Sequence, residues 1–349
     1  MRTRKVALLA CGLIIFGLSS SWNAGSAVGR AGNQPPEVHR TATIVDLHCD
    51  TLLDLHARRR TLAERSARGH VDLPRLREGG VSVQVFAAYT APDQGPARAW
   101  ALIRTFHDAM TANALQIELA TTVEGIEAAR RAGKIAAVLS IENGGEVLRG
   151  DPRVLDALYG QGVRMLGLTW NASNVLGDGA LGREHGGLTD AGRAVLRRME
   201  ELGIIVDASH LSEAAFRDTM RITRGPLIAS HSNAAALRPH PRNLTDEQLR
   251  AIAGRGGVVG VNFWHEFLGE ATAERVLDHI EHMVKVMGVD HVALGADYDG
   301  MPQTPRGLED VSKLPNLTIG LLRRGYSAEQ IHKILGGNAL RVFRQVWGN

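Results

Sequence analysis

The chain has 349 residues, 44% apolar and 22% charged, the balance of a folded globular protein and not of a disordered one. Its formal charge of +3 resides in Arg2, Arg4 and Lys5, since Met1 to Ala27 holds no acidic residue and the remainder sets 37 basic groups against 37 acidic ones. A neutral remainder without a basic run argues against nucleic acid and anionic membrane surfaces as partners.

In chain order, residues 1–27 read as an export signal: a basic start, an apolar run of 13 residues from Val6 to Leu18, and small residues ending in Gly25-Ser26-Ala27. The run is shorter than the roughly 18 apolar residues of a membrane-spanning helix, so cleavage after Ala27 is expected, with no stable membrane insertion afterwards. The expected location is periplasmic or secreted. Leu8-Leu9-Ala10-Cys11 has the look of a lipoprotein box, but it sits too early, because the apolar stretch continues past it. With Cys11 removed, the mature chain keeps only Cys49 and forms no internal disulfide. Residues 28–42, with Gly29, Gly32, Pro35 and Pro36, read as a linker.

From Thr43 the sequence holds eight short apolar runs, each too continuous for a half-exposed strand: Thr43–Leu47, Val81–Ala88, Ile135–Ile141, Val163–Thr169, Gly203–Ala208, Pro226–Ala229, Gly257–Phe263 and His291–Ala296. Stretches with helical spacing lie between them, among them Ala97–Leu119, Val154–Tyr159, Ala191–Glu201, Thr245–Ala253 and Ala273–Val286. Buried strands alternating with helices predict a parallel (β/α)8 TIM barrel, a single domain over residues 43–349. Such barrels carry their chemistry at the C-terminal ends of the strands.

Those ends are polar here. His48 and Asp50 follow the first run, Glu142 the third, His210 the fifth, His231 the sixth and Asp297 the eighth. Three imidazoles and three carboxylates buried at one mouth need compensation for desolvation and mutual repulsion, and a divalent metal supplies it most directly. The mixture of imidazole and carboxylate suits zinc before calcium or magnesium. The spacing His48-Cys49-Asp50 puts both ligand side chains on one side of an extended chain, with Cys49 packed away from them. Six groups exceed the ligands one zinc takes, so two ions bridged by a carboxylate fit better, with Glu142 as the bridge. Two zinc ions would hold a hydroxide at neutral pH and polarise a carbonyl, which suits amide or ester hydrolysis. Asp297 is left over as a ligand or a proton shuttle.

At this point the residues resemble a known family. Thr43-Ile-Val-Asp-Leu-His48-Cys-Asp50-Thr51, Ser140-Ile-Glu142-Asn-Gly-Gly145, Val206-Asp-Ala-Ser-His210-Leu-Ser, Ile228-Ala-Ser-His231-Ser-Asn, Arg242-Asn-Leu-Thr-Asp and Gly295-Ala-Asp297-Tyr-Asp-Gly300 are similar to the membrane (renal) dipeptidases and their bacterial relatives. The resemblance runs from about Thr43 to the Gly336-to-Phe343 segment. It implies a binuclear zinc (β/α)8 hydrolase of dipeptides in which His48 and Asp50 bind one ion, His210 and His231 the other, and Glu142 bridges them. It also implies that Arg242 grips the substrate's C-terminal carboxylate, where its planar fork can donate two parallel hydrogen bonds, and that Asp297 handles protons around the attacking hydroxide. The competing role for Arg242 is a loop ion pair with Asp246 or Glu247.

One departure concerns the end of the fourth strand, where the animal members carry a substrate-contacting histidine and this chain reads Leu168-Thr169-Trp170-Asn171. Trp170 cannot accept a proton. Either Trp170 walls the pocket, the preferred reading, or Asn171 supplies the missing donor. Asp46, Asp207, Asp299 and His185 are left as supporting or loop groups.

The expectation is an exported metallodipeptidase acting on small dipeptides, with a homodimer compatible with it. The alternatives are another metal-dependent hydrolase on the same barrel, such as an amidase, lactonase or phosphotriesterase, where His-x-His more often ends the first strand, or an exported binding protein without activity.

Overall fold

The strands are β1 Ile44–Cys49, β2 Val81–Tyr89, β3 Ile117–Leu119, β4 Ile135–Glu142, β5 Val163–Gly167, β6 Ile205–Asp207, β7 Ile228–Ser232, β8 Val258–Val261 and β9 Val292–Leu294. They belong to a computed structural model that describes residues 34–348; the expected export signal and Cys11 lie outside the described residues. Parallel pairing runs β1–β2–β4–β5–β6–β7–β8–β9, and Asp46 opposite Leu294 returns β9 to β1. The result is a closed eight-stranded parallel barrel wrapped in helices. Every residue of β1, β4, β5, β6, β7, β8 and β9 is buried, which is why their sequences run apolar without alternation.

The structure corrects two expectations. The helix expected over 97–119 stops earlier, at Gly95–Ala112, and Ile117–Leu119 becomes β3. That strand pairs with Ile135–Ala137 of β4, on the edge that β5 takes further along at Leu139–Ile141. The expected linker 28–42 ends in a helix, Glu37–Thr41, whose His39 is buried. Its ring nitrogens meet Thr318 Oγ1 at 2.7 Å and Gly79 O at 3.0 Å, so tertiary contacts order a segment that has no periodicity of its own.

The other named helices begin and end for local reasons. Thr189, Thr245 and Thr272 each accept a hydrogen bond from the backbone three residues on, capping Asp190–Leu202, Asp246–Gly254 and Ala273–Met287, and each such cap contributes about 1 kcal/mol. Gly203 stops the first of these in a left-handed conformation at φ 70°. The C-terminal helix Asn338–Trp347 closes the barrel at the N-terminal ends of the strands, where Val342 and Phe343 pack with Val45, Val83, Ala136, Ile205, Val258 and Ala293. With that end plugged, the opposite mouth is free to hold polar groups.

Candidate metal centre

Five strand ends deliver the six polar residues to that mouth. His48 lies in β1 and Asp50 directly follows it; a backbone ladder (Asp50 N to Tyr298 O, 2.9 Å; Asp297 N to His48 O, 3.2 Å) ties both to the loop that carries Asp297. Glu142 is the last residue of β4, His231 lies in β7, and His210 follows β6. Asn143, His210 and Asp297 adopt left-handed backbone at φ 67°, 69° and 62°. Each such residue costs on the order of 1–3 kcal/mol, and strain of this kind gathers where side-chain placement matters more than stability.

The side chains converge around Glu142. Its Oε2 lies 3.5 Å from His48 Nε2, which is itself 3.6 Å from Asp50 Oδ2. Its Oε1 lies 2.8 Å from His210 Nε2 and 3.9 Å from His231 Nε2. The two carboxylate oxygens thus face two different sets, His48 with Asp50 and His210 with His231. Within each set the potential ligand atoms lie no more than 4.8 Å apart, as they also do for His48, His231 and Asp297. All six residues are buried.

Electrostatics within this cluster are unsettled without a cation. Burial opposes ionisation of Glu142, but His48 and His210 outweigh it and hold the carboxyl well below the usual range. Burial pushes Asp297 up to about 7, the charges of Asp50 and Glu142 adding to it against the pull of His48. Burial, with Arg242 nearby, lowers His210 to about 4 and takes His231 well below its ordinary value. Among the described residues, neither ring nitrogen of His48 has a hydrogen-bond partner, and Asp50 Oδ1 has none. Nε2 of His210 and Nε2 of His231 face one another at 2.8 Å. Buried, unpartnered lone pairs aimed at common points are expensive unless cations occupy those points, so the donor set fits metal. Gly300 keeps the spot clear, since a Cβ there would lie 2.3 Å from Asp50 Oδ2 and 2.7 Å from Asp297 Oδ1.

Arg242 is buried beside this cluster, and burial lowers its guanidinium to about 10, which leaves it charged at neutral pH. Its Nη2 reaches His231 O at 3.4 Å, while its Nε has no partner. Asp246 is taken by His282 at 2.8 Å and Arg250 at 4.0 Å, so the loop ion pair does not form with that residue. Arg242 and His210 line a cavity of about 570 Å³ together with Ser232, His240 and Arg183.

Trp170 is half-buried, its ring 5.4 Å from Tyr89 and 6.1 Å from His210. Asn171 turns its Oδ1 to His210 Nδ1 at 2.9 Å. Cys49 is buried in the apolar layer, its Sγ 3.3 Å from Thr51 Oγ1. Asp46 accepts from Ala296 N at 2.8 Å and Gln84 Nε2 at 3.1 Å, pinning β1 to its neighbours on both sides. Asp299 binds Thr51 and Arg60, and His185 binds Asn174 O at 3.0 Å in an outer loop. Sequence reasoning missed Asn262, whose Nδ2 donates to Asp297 Oδ2 at 2.9 Å. Its signal was its place, one residue past β8, where the other barrel strands carry their functional groups.

The profile of the family described as membrane dipeptidase (peptidase family M19) matches residues 33–348. The chain belongs to the membrane dipeptidase family. A dipeptidase of Claviceps purpurea is 36% identical over 296 residues, 80% of this chain and 69% of its own. Among solved structures, a metallopeptidase of Rhodobacter sphaeroides liganded with a phosphinate mimic of L-Ala-D-Ala has 31% identity and a TM-score of 0.82, covering 88% of this chain and 100% of its own. A metallopeptidase of family M19 described as dipeptidase AC has 32% identity and a TM-score of 0.83 over the same shares. The protein is therefore a metal-dependent dipeptidase, and His48, Asp50, Glu142, His210, His231 and Asp297 are the candidate ligands that its barrel gathers at one mouth.

Proposed function

We propose that this dipeptidase holds two zinc ions, one on His48 and Asp50 and one on His210 and His231, with Glu142 shared between them. The observation that carries the reading is the division of the two Glu142 oxygens between those two sets. Bound zinc would supply a nucleophilic hydroxide at neutral pH and polarise the scissile carbonyl. The chain's own residues do the rest. Arg242, a buried cation with a free Nε on the cavity it shares with His210, takes the substrate's C-terminal carboxylate. A longer peptide or an amide leaves that cation unpaired, which restricts the enzyme to dipeptides. Asp297, held by Asn262 at the edge of the cluster, accepts the proton of the nucleophile and delivers one to the leaving amine. Trp170 and Tyr89 wall the mouth and shape which substrates enter.

The test is a library of L,L and L,D dipeptides with their C-terminal amides, assayed on chelated and zinc-loaded enzyme. The ligand of the Rhodobacter protein makes D-configured C-terminal residues a necessary arm. Zinc-dependent turnover of free acids supports the reading; equal turnover of acids and amides removes Arg242 from its role. We also propose export beyond the inner membrane, on the basic, apolar and small-residue order of residues 1–27.

A further inference from the structure

Neutral imidazole carries one proton on one of two nitrogens, and a metal needs the other nitrogen bare. His210 and His231 have that choice made for them. Nδ1 of His210 lies 2.9 Å from Oδ1 of Asn171, a carbonyl oxygen that can only accept, so the proton sits on Nδ1. Nδ1 of His231 lies 2.7 Å from Ser230 Oγ. The one hydroxyl proton of Ser230 is directed at Asp207 Oδ2, which leaves Oγ to accept from His231. Asp207 is itself fixed, its Oδ1 accepting from Ser209 N and Ser230 N, both at 2.9 Å. Ser209 Oγ then accepts from His231 N at 3.1 Å, so backbone and ring of His231 are both held. Asn171, Ser230, Asp207 and Ser209 are buried or half-buried.

We infer that Asn171 and the Asp207–Ser230 pair are positioning residues that fix the rings of His210 and His231 with Nε2 turned toward Glu142, where the proposed ion would bind. The inference rests on the two-ion reading and adds to it the residues that orient one half of the centre. A site whose imidazoles are already oriented loses less freedom on binding a metal. Asn171 then has an assignment other than substrate contact: the position after Trp170 serves His210.

Nitrogen-15 histidine NMR on the full chain, stripped of metal and titrated with zinc, tests this. In zinc-loaded protein, His210 and His231 are expected to carry their proton on Nδ1 and to meet the metal through Nε2. Ser230→Ala and Asn171→Leu should weaken zinc binding by about tenfold to a hundredfold, the usual cost of losing a group that orients a ligand. Asn171→Asp, which keeps the acceptor, should restore tautomer and affinity, an outcome that mere packing at residue 171 does not predict. Either imidazole found bound through Nδ1 in zinc-loaded protein, or zinc affinity unchanged in both variants, overturns the inference and leaves the two-ion reading standing. Failure to bind zinc at all overturns both. The parent spectra decide the matter even if a variant fails to fold.

Discussion

Arg242 is a cation kept dry without a carboxylate, an arrangement that costs free energy in the ligand-free protein and is recovered when an anion binds. Replacing it by Met should cost roughly 2–5 kcal/mol in kcat/KM for dipeptides, the scale of losing a buried charged hydrogen-bond partner, with little change in zinc content. Steady-state kinetics on paired acids and amides check this, and an unchanged kcat/KM for the acids would refute it. Asp297 raises a sharper question, because it lies 3.9 Å from His48 Nε2 and shares a potential metal cluster with His48 and His231. As a proton carrier, its replacement by Asn should lower kcat about a hundredfold or more while zinc stays near the parent value. Parallel loss of zinc and activity would make it a ligand instead. At this scale the sequence was partly legible. Strand ends named the six polar groups, whereas Asn171 and Ser230 bond partners whose choice depends on contacts that no spacing encodes, such as His210 lying 39 positions from Asn171.

The elements around the site explain which features of the fold could be read and which could not. Buried parallel strands announce themselves by continuous apolar runs, and barrel closure follows from their number and alternation with helices. β3 has three residues with only Ile117 fully buried, and Glu37–Thr41 is one turn that exists because His39 finds Thr318 279 positions away. Neither carries a local pattern long enough to register. The helix Ala273–Met287 offers a test at the same scale. His279 on it accepts from Ala234 N at 3.2 Å, just past β7, and burial lowers its pKa to about 4. A histidine depressed on folding contributes stability that is present above its unfolded pKa of about 6.5 and is lost as pH falls through the folded value. Unfolding free energy should therefore decline between about pH 6.5 and 4, and His279→Gln should flatten that decline. Denaturant titrations across this range check it; an equal slope in the variant would assign the loss to other groups.

For the whole molecule, residues 34–348 supply the barrel, the plugged end and the site, while the export proposal stands on the sequence of the first 27 residues alone. Intact-mass analysis of protein purified from its native host should give a chain beginning near Val28; a retained Met1 or a lipidated Cys11 would contradict it. Across the molecule the account turns on two ions shared through Glu142. The most direct measurement is zinc content against activity during exhaustive chelation and stepwise return. The account predicts close to two zinc ions per chain at full activity, loss of dipeptide hydrolysis on removal, and loss of both occupancy and activity in Glu142→Gln. Full activity in protein shown by elemental analysis to hold no metal would contradict it.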